Sequence, residues 1–366
     1  MKLIHCADLH LDSSMESVFR DREMAERRRG ELLAAFVRLV SFAEENRAAA
    51  VLIAGDLFDR RRISAGTGNA VLDAMEEHPA IHFFYLRGNH DPDVFESEDG
   101  IPENLHLFGD EWGSYAFEGS KVRISGLELC PGNAAGAAAA LSLRPEDFNI
   151  VMLHGQIAGY PSPDRAETIA LQEYRGRDID YLALGHVHQH QEGVLDPRGI
   201  YVYPGCLEGR GFDETGEHGF ELLELNEKTG RFSHRFVPSA SRKIALVKAD
   251  CSGLKTSGQI AERVRETAMA QGCGPGDLVK AVLEGSAGED MEKNPEVIRM
   301  LLEESFCEVR VEDRMSLQIR FEDYRHDATL RGEFVRLVEA APDLSGEEKA
   351  QIVRCGLKAL AGQQED

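Results

Sequence analysis

The stretch Val51-Leu-Ile-Ala-Gly-Asp-Leu-Phe-Asp59 decides the fold, because it joins a core strand to two carboxylates. Its first four residues are apolar and predict a buried strand that stops at Gly55. Asp56 and Asp59 follow at the carboxyl end of that strand. An unpaired carboxylate is costly to bury, so an acid in this place needs a partner such as a cation. The stretch therefore predicts a cation site beside the core.

The same arrangement, a polar side chain directly after an apolar strand, recurs along the first half of the chain. Strands and helices alternate there, which is typical of an α/β fold with sites at the carboxyl ends of its strands. Asp8 and His10 lie two apart, so on an extended segment both would point the same way. We predict that the following side chains converge around Asp56: Asp8, His10, Asn89, His154, His186 and His188.

This donor set points to metal ions. Carboxylate, imidazole and amide oxygen suit Mn, Fe or Zn, and the absence of cysteine ligands disfavours a structural zinc site. Each motif alone also fits a turn or a satisfied core histidine, whereas their joint occurrence favours metal. The set suffices for two ions only if one carboxylate bridges them, and Asp56 is the natural bridge. Two ions about 3.5–4 Å apart activate water and neutralise an oxyanion at phosphorus.

The composition is that of an ordinary globular protein of 366 residues, 42% hydrophobic and 29% charged. Its seven scattered cysteines form no C-x-x-C pair, which argues against a disulfide framework and for a reducing cytoplasm. The amino terminus lacks an apolar signal segment, and no run of about 18 apolar residues occurs. We therefore expect a cytoplasmic protein without a membrane span.

The formal net charge of −23 counts mildly against nucleic acid as a partner, since duplex binding draws on Lys and Arg. Two basic clusters, residues 20–29 and 60–62, are exceptions to this acidic net charge. They are either solvated surface or a rim that grips phosphates. The second interpretation predicts these DNA contacts: Arg27, Arg28, Arg60, Arg61 and Arg62.

The pattern changes near residues 238–241, which suggests a domain boundary. A helix-poor run over 199–237 predicts a second sheet packed against the first. Beyond this boundary, a β-α-β-α-β pattern contains no cluster of candidate ligands and predicts a small capping domain. Two helices separated by Pro342 end the chain, and Ser345-Gly-Glu-Glu348 predicts a capping box. This helical hairpin either packs on its own body or docks a partner. We divide the chain into residues 1–240, 241–320 and 321–366.

The motifs resemble the five signatures of calcineurin-like metallophosphoesterases over residues 1–190. They are Asp8-x-His10, Gly55-Asp56-x-x-Asp59, Gly88-Asn89-His90-Asp91, His154-Gly155 and Gly185-His186-x-His188. The resemblance implies a four-layer α/β/β/α sandwich. It also implies that metal one takes Asp8, His10, Asp56 and His188, and that metal two takes Asp56, Asn89, His154 and His186. His90 would then serve as the catalytic acid or stabilise the transition state, with Asp59 orienting it by a hydrogen bond.

A narrower resemblance, to DNA-repair exonucleases of the SbcD and YhaO type, rests on residues 5–12, 55–59 and 203–216. The Gly209-Arg-Gly-Phe-x-Glu-Thr-Gly216 segment and residues 329–336 look most like the YhaO branch. The resemblance implies a capping domain and a carboxyl-terminal element that binds an SMC-like ATPase. It further implies a homodimer that pairs near the helix after Asp12.

The leading prediction is a two-metal phosphodiesterase, an exonuclease that acts on DNA ends in repair, with Mn expected and Fe or Zn as alternatives. The first alternative is a phosphoesterase for small nucleotides, which the acidic charge favours. The second is a non-catalytic scaffold that binds DNA ends. The intact set of candidate ligands counts against this alternative.

Overall fold

The computed structural model describes residues 1–15, 18–19, 21–59, 63–92, 95, 100–159, 166–288, 291–317 and 321–360. Contacts within the chain divide it into two compact units, Met1–Arg242 and Lys243–Asp366. The predicted boundary at residue 240 lies two residues before this division, while a further boundary at residue 320 stays a prediction. None of the helices within these ranges is long and apolar enough to cross a membrane.

The first unit alternates strands with helices. Its strands are β1 Lys2–Cys6, β2 Ala50–Ala54, β3 His82–Leu86, β4 Leu105–Leu107, β5 Gly113–Ala116, β6 Val122–Gly126, β7 Phe148–His154, β8 Gln156–Ile157, β9 Thr168–Ile169, β10 Tyr181–Gly185, β11 Gln191–Val194, β12 Ile200–Tyr203, β13 Gly219–Asn226 and β14 Arg231–Pro238. Its α-helices are α1 Arg22–Glu45, α2 Ala65–Glu76, α3 Ala137–Ala140 and α4 Leu171–Tyr174, with a 3₁₀ turn at Ala134–Gly136.

Two six-stranded sheets face each other in this unit. Their orders are β14-β13-β1-β2-β3-β4 and β11-β12-β10-β7-β6-β5. Side chains of both sheets share one buried cluster that includes Leu3, Leu52, Ile150 and Ala183. On the outer face of the second sheet, Tyr174 of α4 packs with Leu182. The four-layer α/β/β/α sandwich that the resemblance implies is confirmed.

The central strands form because their residues fit a core with parallel neighbours on both sides. All five residues of β2 are buried, and β2 pairs in parallel with β1 and β3. Such a strand reads as a continuous apolar run. Helix α1 begins where the Asp21 side chain accepts a hydrogen bond from the Glu23 N–H, which is a typical N-cap. These local signals place Asp56 at the carboxyl edge of the first sheet.

The prediction that the strands of 199–237 form the second sheet is wrong in part. Strand β12 joins the second sheet beside β10, but β13 and β14 extend the first sheet. The reason is that β13 pairs antiparallel with β1, with Leu3 opposite Leu223. The first sheet ends at the short strand β4, which pairs in parallel with β3.

The second unit has a parallel three-stranded sheet in the order β15-β16-β18. Its strands are β15 Ile244–Asp250, β16 Leu278–Glu284, β17 Ser286–Ala287, β18 Glu308–Asp313 and β19 Ser316–Leu317. Its α-helices are α5 Ser257–Ala270, α6 Pro295–Glu303, α7 Leu330–Glu339 and α8 Gly346–Leu360, with a 3₁₀ turn at Phe321–Tyr324. Helices α7 and α8 bury a cluster of their own around Val335 and Val353. The capping box is confirmed, because Ser345 Oγ accepts from the Glu348 N–H (3.3 Å) and Glu348 accepts from the Ser345 N–H (2.8 Å).

Candidate metal centre

The predicted ligands meet where the carboxyl ends of both sheets face each other. Strands β1, β2 and β3 are parallel neighbours, and so are β7 and β10. Their following loops therefore open at the same edge of each sheet. This arrangement brings together all the side chains that the sequence singles out: Asp8, His10, Asp56, Asn89, His154, His186 and His188.

Four of these residues have left-handed backbone, with φ of 54° at Asp8, 47° at His10, 52° at Asp56 and 106° at His186. Such conformations cost of order 1–3 kcal/mol each and persist only where the surroundings enforce them. Here the loops after β1 and β2 are tied together, since the His10 N–H donates to the Asp56 carbonyl at 2.9 Å. The expectation that Asp8 and His10 converge from an extended segment is thus wrong in its geometry, although both residues reach the site.

Glycines let the loops come this close. A Cβ at Gly88 would lie 2.2 Å from Asp56 Oδ1, and one at Gly185 would lie 1.8 Å from the Ala54 carbonyl oxygen. Real Cβ atoms do not approach other atoms so closely, so any larger residue would push the loops apart. The glycines of the G-D-x-x-D, G-N-H-D and G-H-x-H motifs are therefore steric requirements of the site.

Three histidines share one hydrogen-bonding pattern, in which Nδ1 donates to a protein acceptor. The pairs are His10 to Asp59 (3.1 Å), His188 to Glu214 (2.7 Å) and His154 to the Ala54 carbonyl (2.9 Å). This arrangement fixes the neutral tautomer that presents Nε2 as a metal ligand. Two of these Nε2 atoms, those of His10 and His188, lie 3.1 Å apart. Two facing lone pairs at that distance need a cation or a proton between them.

Asp56 lies at the centre of this group. Its Oδ1 accepts from the His90 N–H at 2.9 Å, but its buried Oδ2 receives no hydrogen bond from the part of the chain that the structure describes. That oxygen lies 3.4 Å from His154 Nε2 and 3.8 Å from His10 Nε2. Burial alone would raise the pKa of Asp56, but the His154 and His10 imidazoles hold it below its ordinary value. A buried anionic oxygen facing imidazole nitrogens fits a divalent cation.

Possible ligand atoms form two groups that share Asp8, and Asn89 and His186 lie beside them. Ligand atoms of Asp8, His10 and His188 lie within 4.8 Å of one another, and so do those of Asp8, Asp56 and His154. Asn89 Oδ1 is 3.1 Å from His154 Nε2, and Asp8 accepts from the His186 N–H at 2.9 Å. The donors are oxygen and nitrogen only, as borderline divalent ions prefer.

His90 and Asp59 lie beside these groups. Asp59 Oδ1 is 3.1 Å from His90 Nδ1, which is the contact that the expected orientation of His90 requires. The same oxygen is 3.1 Å from His10 Nδ1, a second role that the sequence did not predict. Burial opposes ionisation, yet hydrogen bonds from His10 and His90 hold the pKa of Asp59 well below its usual range. The His90 side chain is 32% exposed, so it can meet a substrate.

Sequence reasoning missed two residues that support the site, Arg210 and Glu214. Glu214 accepts from His188 Nδ1, and Arg210 Nη2 donates to the same Glu214 oxygen at 2.9 Å. Arg210 Nη1 also lies 3.5 Å from Asp59 Oδ1. Despite burial, the bond from His188 and the Arg210 charge hold the pKa of Glu214 well below its ordinary value. Their segment stands out in the sequence only through its family resemblance. No local pattern indicates that Glu214 reaches His188, 26 residues earlier.

The arginines that the sequence predicts to contact DNA differ in their burial. Arg28 is completely buried, and its guanidinium bonds to Glu31 and to the Gly209 carbonyl. The prediction that Arg28 contacts DNA is therefore wrong, because helix α1 turns it inward to this buried network. Arg27 is exposed and lies 3.4 Å from Glu31. Residues 60–62 lie outside the described part of the chain.

Comparisons with known proteins agree with this geometry. The calcineurin-like phosphoesterase family model matches residues 1–190. The chain is 28% identical over 300 residues to the uncharacterized metallophosphoesterase YhaO of Bacillus subtilis, covering 79% of this chain and 73% of that protein. It is 27% identical over 324 residues to the DNA double-strand break repair protein Mre11 of Methanopyrus kandleri, covering 80% and 67%. A solved dimetal phosphatase from Danio rerio is 13% identical with a TM-score of 0.40, covering 62% of this chain and 93% of that one.

The matched family model spans the whole set of metal-site motifs, from Asp8 to His188. The donors, their buried carboxylate and the fold around them fit the two metal ions on which this family depends. The chain belongs to the calcineurin-like phosphoesterase family and is a metal-dependent hydrolase of phosphoester bonds.

Proposed function

We propose that this protein is a two-metal phosphodiesterase that degrades DNA from its ends as an exonuclease in DNA repair. The observation that carries the catalytic part is the buried Asp56 Oδ2, which accepts no hydrogen bond from the described residues and faces His10 and His154. The polymeric substrate is favoured by the second unit, which a small substrate does not need, and by the similarity to Mre11 proteins named for double-strand break repair.

Asp56 is proposed to bridge the two ions. Metal one would be held by Asp8, His10, Asp56 and His188, and metal two by Asp56, Asn89, His154 and His186. Mn²⁺ is the proposed metal, with Fe and Zn as alternatives, because the donors are imidazole, carboxylate and amide oxygen. Such a pair of ions supplies an activated water and charge neutralisation at phosphorus.

His90 is proposed to act as the proton donor to the leaving oxygen. A general acid has to lie beside the metals without binding them. His90 meets this condition, because its Nδ1 is held by Asp59 and its ring lies edge-on to His10 at 5.0 Å between centroids. Asp59 accepts from Nδ1 and fixes the ring, so the doubly protonated imidazole would give its Nε2 proton to the leaving oxygen.

The proposed partners follow from the second unit and from exposed arginines. An SMC-like ATPase would dock on the α7–α8 hairpin, whose Leu330 and Leu337 are 66% and 68% exposed. DNA would contact Arg27 and residues 60–62, and two copies would pair near α1. Charge reversal at Arg27 should weaken DNA binding without changing hydrolysis of a small ester, which a filter-binding titration would measure.

A phosphoesterase for small nucleotides is the second candidate, and the net charge of −23 favours it. The scaffold alternative is disfavoured, because the Asp59–His90 contact has no purpose in an idle site. One assay separates these functions. Wild-type protein and His90→Ala are supplied with Mn²⁺ and compared on linear DNA and on a small chromogenic phosphodiester.

Loss of both activities in His90→Ala would support the proposed site. Hydrolysis of the small ester alone, with intact DNA even when an ATPase partner is present, would overturn the nuclease proposal and favour small nucleotides. Absence of both activities in the metal-loaded wild type would leave the scaffold function. His78→Ala is a matched control, since His78 lies at the end of α2 beside Glu44 and has no contact with the site.

A further inference from the structure

A second group of histidines and glutamates lies between the two sheets of the first unit, beside the loop that carries His186 and His188. His190 and Glu192 belong to the β11 side of the second sheet, whereas Glu221 on β13 and His234 on β14 belong to the first sheet. None of these four residues is among the proposed catalytic ligands. We call them the intersheet cluster.

The cluster is built around Glu221, which is completely buried. Its Oε1 is 2.8 Å from His190 Nε2, and its Oε2 is 3.0 Å from His234 Nδ1. Glu192 approaches from the rim, with its carboxylate 3.8 Å from His234 Nδ1. Ligand atoms of His190, Glu192 and Glu221 all lie within 4.8 Å of one another. Two imidazoles and two carboxylates thus converge from two different sheets.

The inner side of the cluster is buried, since Glu221 and Tyr181 are both 0% exposed. Tyr181 packs its ring against His234, with 6.2 Å between centroids. Behind it lies His5, which is completely buried, and whose Nδ1 is 2.9 Å from the Tyr181 hydroxyl. His5 Nε2 has no hydrogen-bond partner among the residues that the structure describes. A buried carboxylate in such a place needs a cation or protonated imidazoles.

We propose that His190, Glu192, Glu221 and His234 bind one divalent cation of the Zn²⁺ class, which clamps the two sheets together. Imidazole and carboxylate are usual Zn²⁺ ligands, and the ligand atoms of His190, Glu192 and Glu221 already lie within 4.8 Å of one another. His234, whose Nδ1 lies 3.0 Å from Glu221 and 3.8 Å from Glu192, would complete a tetrahedral site of the structural kind. His190 lies two residues after His188, yet its Nε2 faces Glu221 whereas His188 Nε2 faces His10. The two sites therefore draw on neighbouring residues without sharing a ligand.

A cation at this place would act on stability rather than on the reaction. Its ligands come together only when β11 packs across β13 and β14, so it binds the folded state and not the unfolded chain. Ligand binding to the folded state alone stabilises it by mass action. At Zn²⁺ a hundredfold above its dissociation constant, we expect the unfolding midpoint to rise by roughly 5–10 °C.

Metal counting tests the proposal. Full-length chelator-treated protein is equilibrated with Zn²⁺, desalted and measured by inductively coupled plasma mass spectrometry. We expect three equivalents in wild type and two in Glu221→Gln. Because Glu221 is completely buried, His234→Ala provides a second variant at a side chain that is 20% exposed. Glu224→Gln is the matched control, since Glu224 lies on the same strand with a 49% exposed side chain that pairs with Lys2.

The Asp56→Asn background separates this inference from the proposed function. In Asp56→Asn we expect one bound equivalent of Zn²⁺, which raises the unfolding midpoint. In the double variants that add Glu221→Gln or His234→Ala, we expect no bound Zn²⁺. The same stoichiometry in wild type, Glu221→Gln and His234→Ala, with all three folded, would overturn the intersheet site whatever the catalytic ions do. Retention of the catalytic ions in Asp56→Asn would contradict only the bridging role of Asp56, because the loss of one equivalent with Glu221→Gln would still stand.

Discussion

Replacing Glu214 by glutamine is expected to weaken metal binding at the His188 side of the site. Glu214 accepts from His188 Nδ1 at 2.7 Å and from Arg210 Nη2 at 2.9 Å, and only 14% of its side chain is exposed. Glutamine keeps the size of the residue and one acceptor oxygen but removes the charge. His188 then loses the anion that makes its Nε2 a stronger ligand.

The magnitude follows from these two contacts. A hydrogen bond to a charged group contributes about 1.5–3 kcal/mol, and a neutral one about 1 kcal/mol. Removing the charge costs about 0.5–2 kcal/mol per bond, so the two bonds together lose on the order of 1–4 kcal/mol. Not all of this falls on the metal, because Arg210 also contacts Asp59. We expect the dissociation constant for Mn²⁺ to rise about 10- to 100-fold, the usual effect of losing the partner of a metal-bound histidine.

The assay is a Mn²⁺ titration of chelator-treated protein followed by calorimetry and by the electron paramagnetic resonance signal of free Mn²⁺. Glu217→Gln is the matched control, because Glu217 is an exposed residue three positions further along the same segment. Thermal unfolding of the metal-free proteins is measured in parallel. A lower affinity with an unchanged unfolding midpoint would assign Glu214 to the positioning of His188.

Two results would refute the reasoning. Wild-type Mn²⁺ affinity in Glu214→Gln would mean that the carboxylate does not support His188 as a ligand. An equal loss of affinity in Glu217→Gln would mean that the segment responds to its net charge rather than to one hydrogen bond.

Three further predictions test other parts of the site. Asp56→Asn should lose both catalytic metals together, as metal content by mass spectrometry would record; full occupancy would refute the bridging role. Gly88→Ala should also lose metal, because its Cβ would fall 2.2 Å from Asp56 Oδ1, whereas Gly30→Ala, with open space at its Cβ, should bind normally in the same measurement. Metal binding at pH 7.5 should release protons. Burial lowers the pKa of His154, but the Asp56 charge outweighs burial and raises this pKa to about 9. Because a metal-bound imidazole must be neutral, His154 has to lose a proton when the metal binds. Affinity should then increase with pH up to about 9, and calorimetry in two buffers of different ionisation enthalpy counts the protons; equal enthalpies in both buffers would contradict this.

Several features of the fold could be predicted from the sequence because they depend on local signals. Strand β2, Ala50–Ala54, contains the predicted apolar run 51–54, since such a run between a helix end and a glycine leaves little choice. The capping box at Ser345 forms within four residues of chain. The ligand motifs could be recognised because each follows a strand, and parallel strands bring their carboxyl ends to one edge.

The pairing of distant segments could not be predicted in this way. Strand β13 joins the first sheet because it pairs with β1 more than 200 residues earlier in the chain. The burial of Arg28 depends on the Gly209 carbonyl, and the role of Glu214 depends on the place of His188. No periodicity within 20 residues carries information about such contacts.

The sequence alone is therefore enough to identify the candidate metal ligands, the strand ends at which they lie and the family that they indicate. How the donors are held becomes visible only in the folded chain: in the left-handed backbone at Asp8 and His10, in the Asp59 oxygen between His10 and His90, and in the Asp56 oxygen that accepts no hydrogen bond from the described residues. The physical reason is that ligand identity belongs to single residues, whereas hydrogen-bond direction and burial arise only when several loops pack together. Val51–Asp59 supplies Asp56, the proposed bridge, and the loops after β1, β3, β7 and β10 bring the other candidate ligands around it.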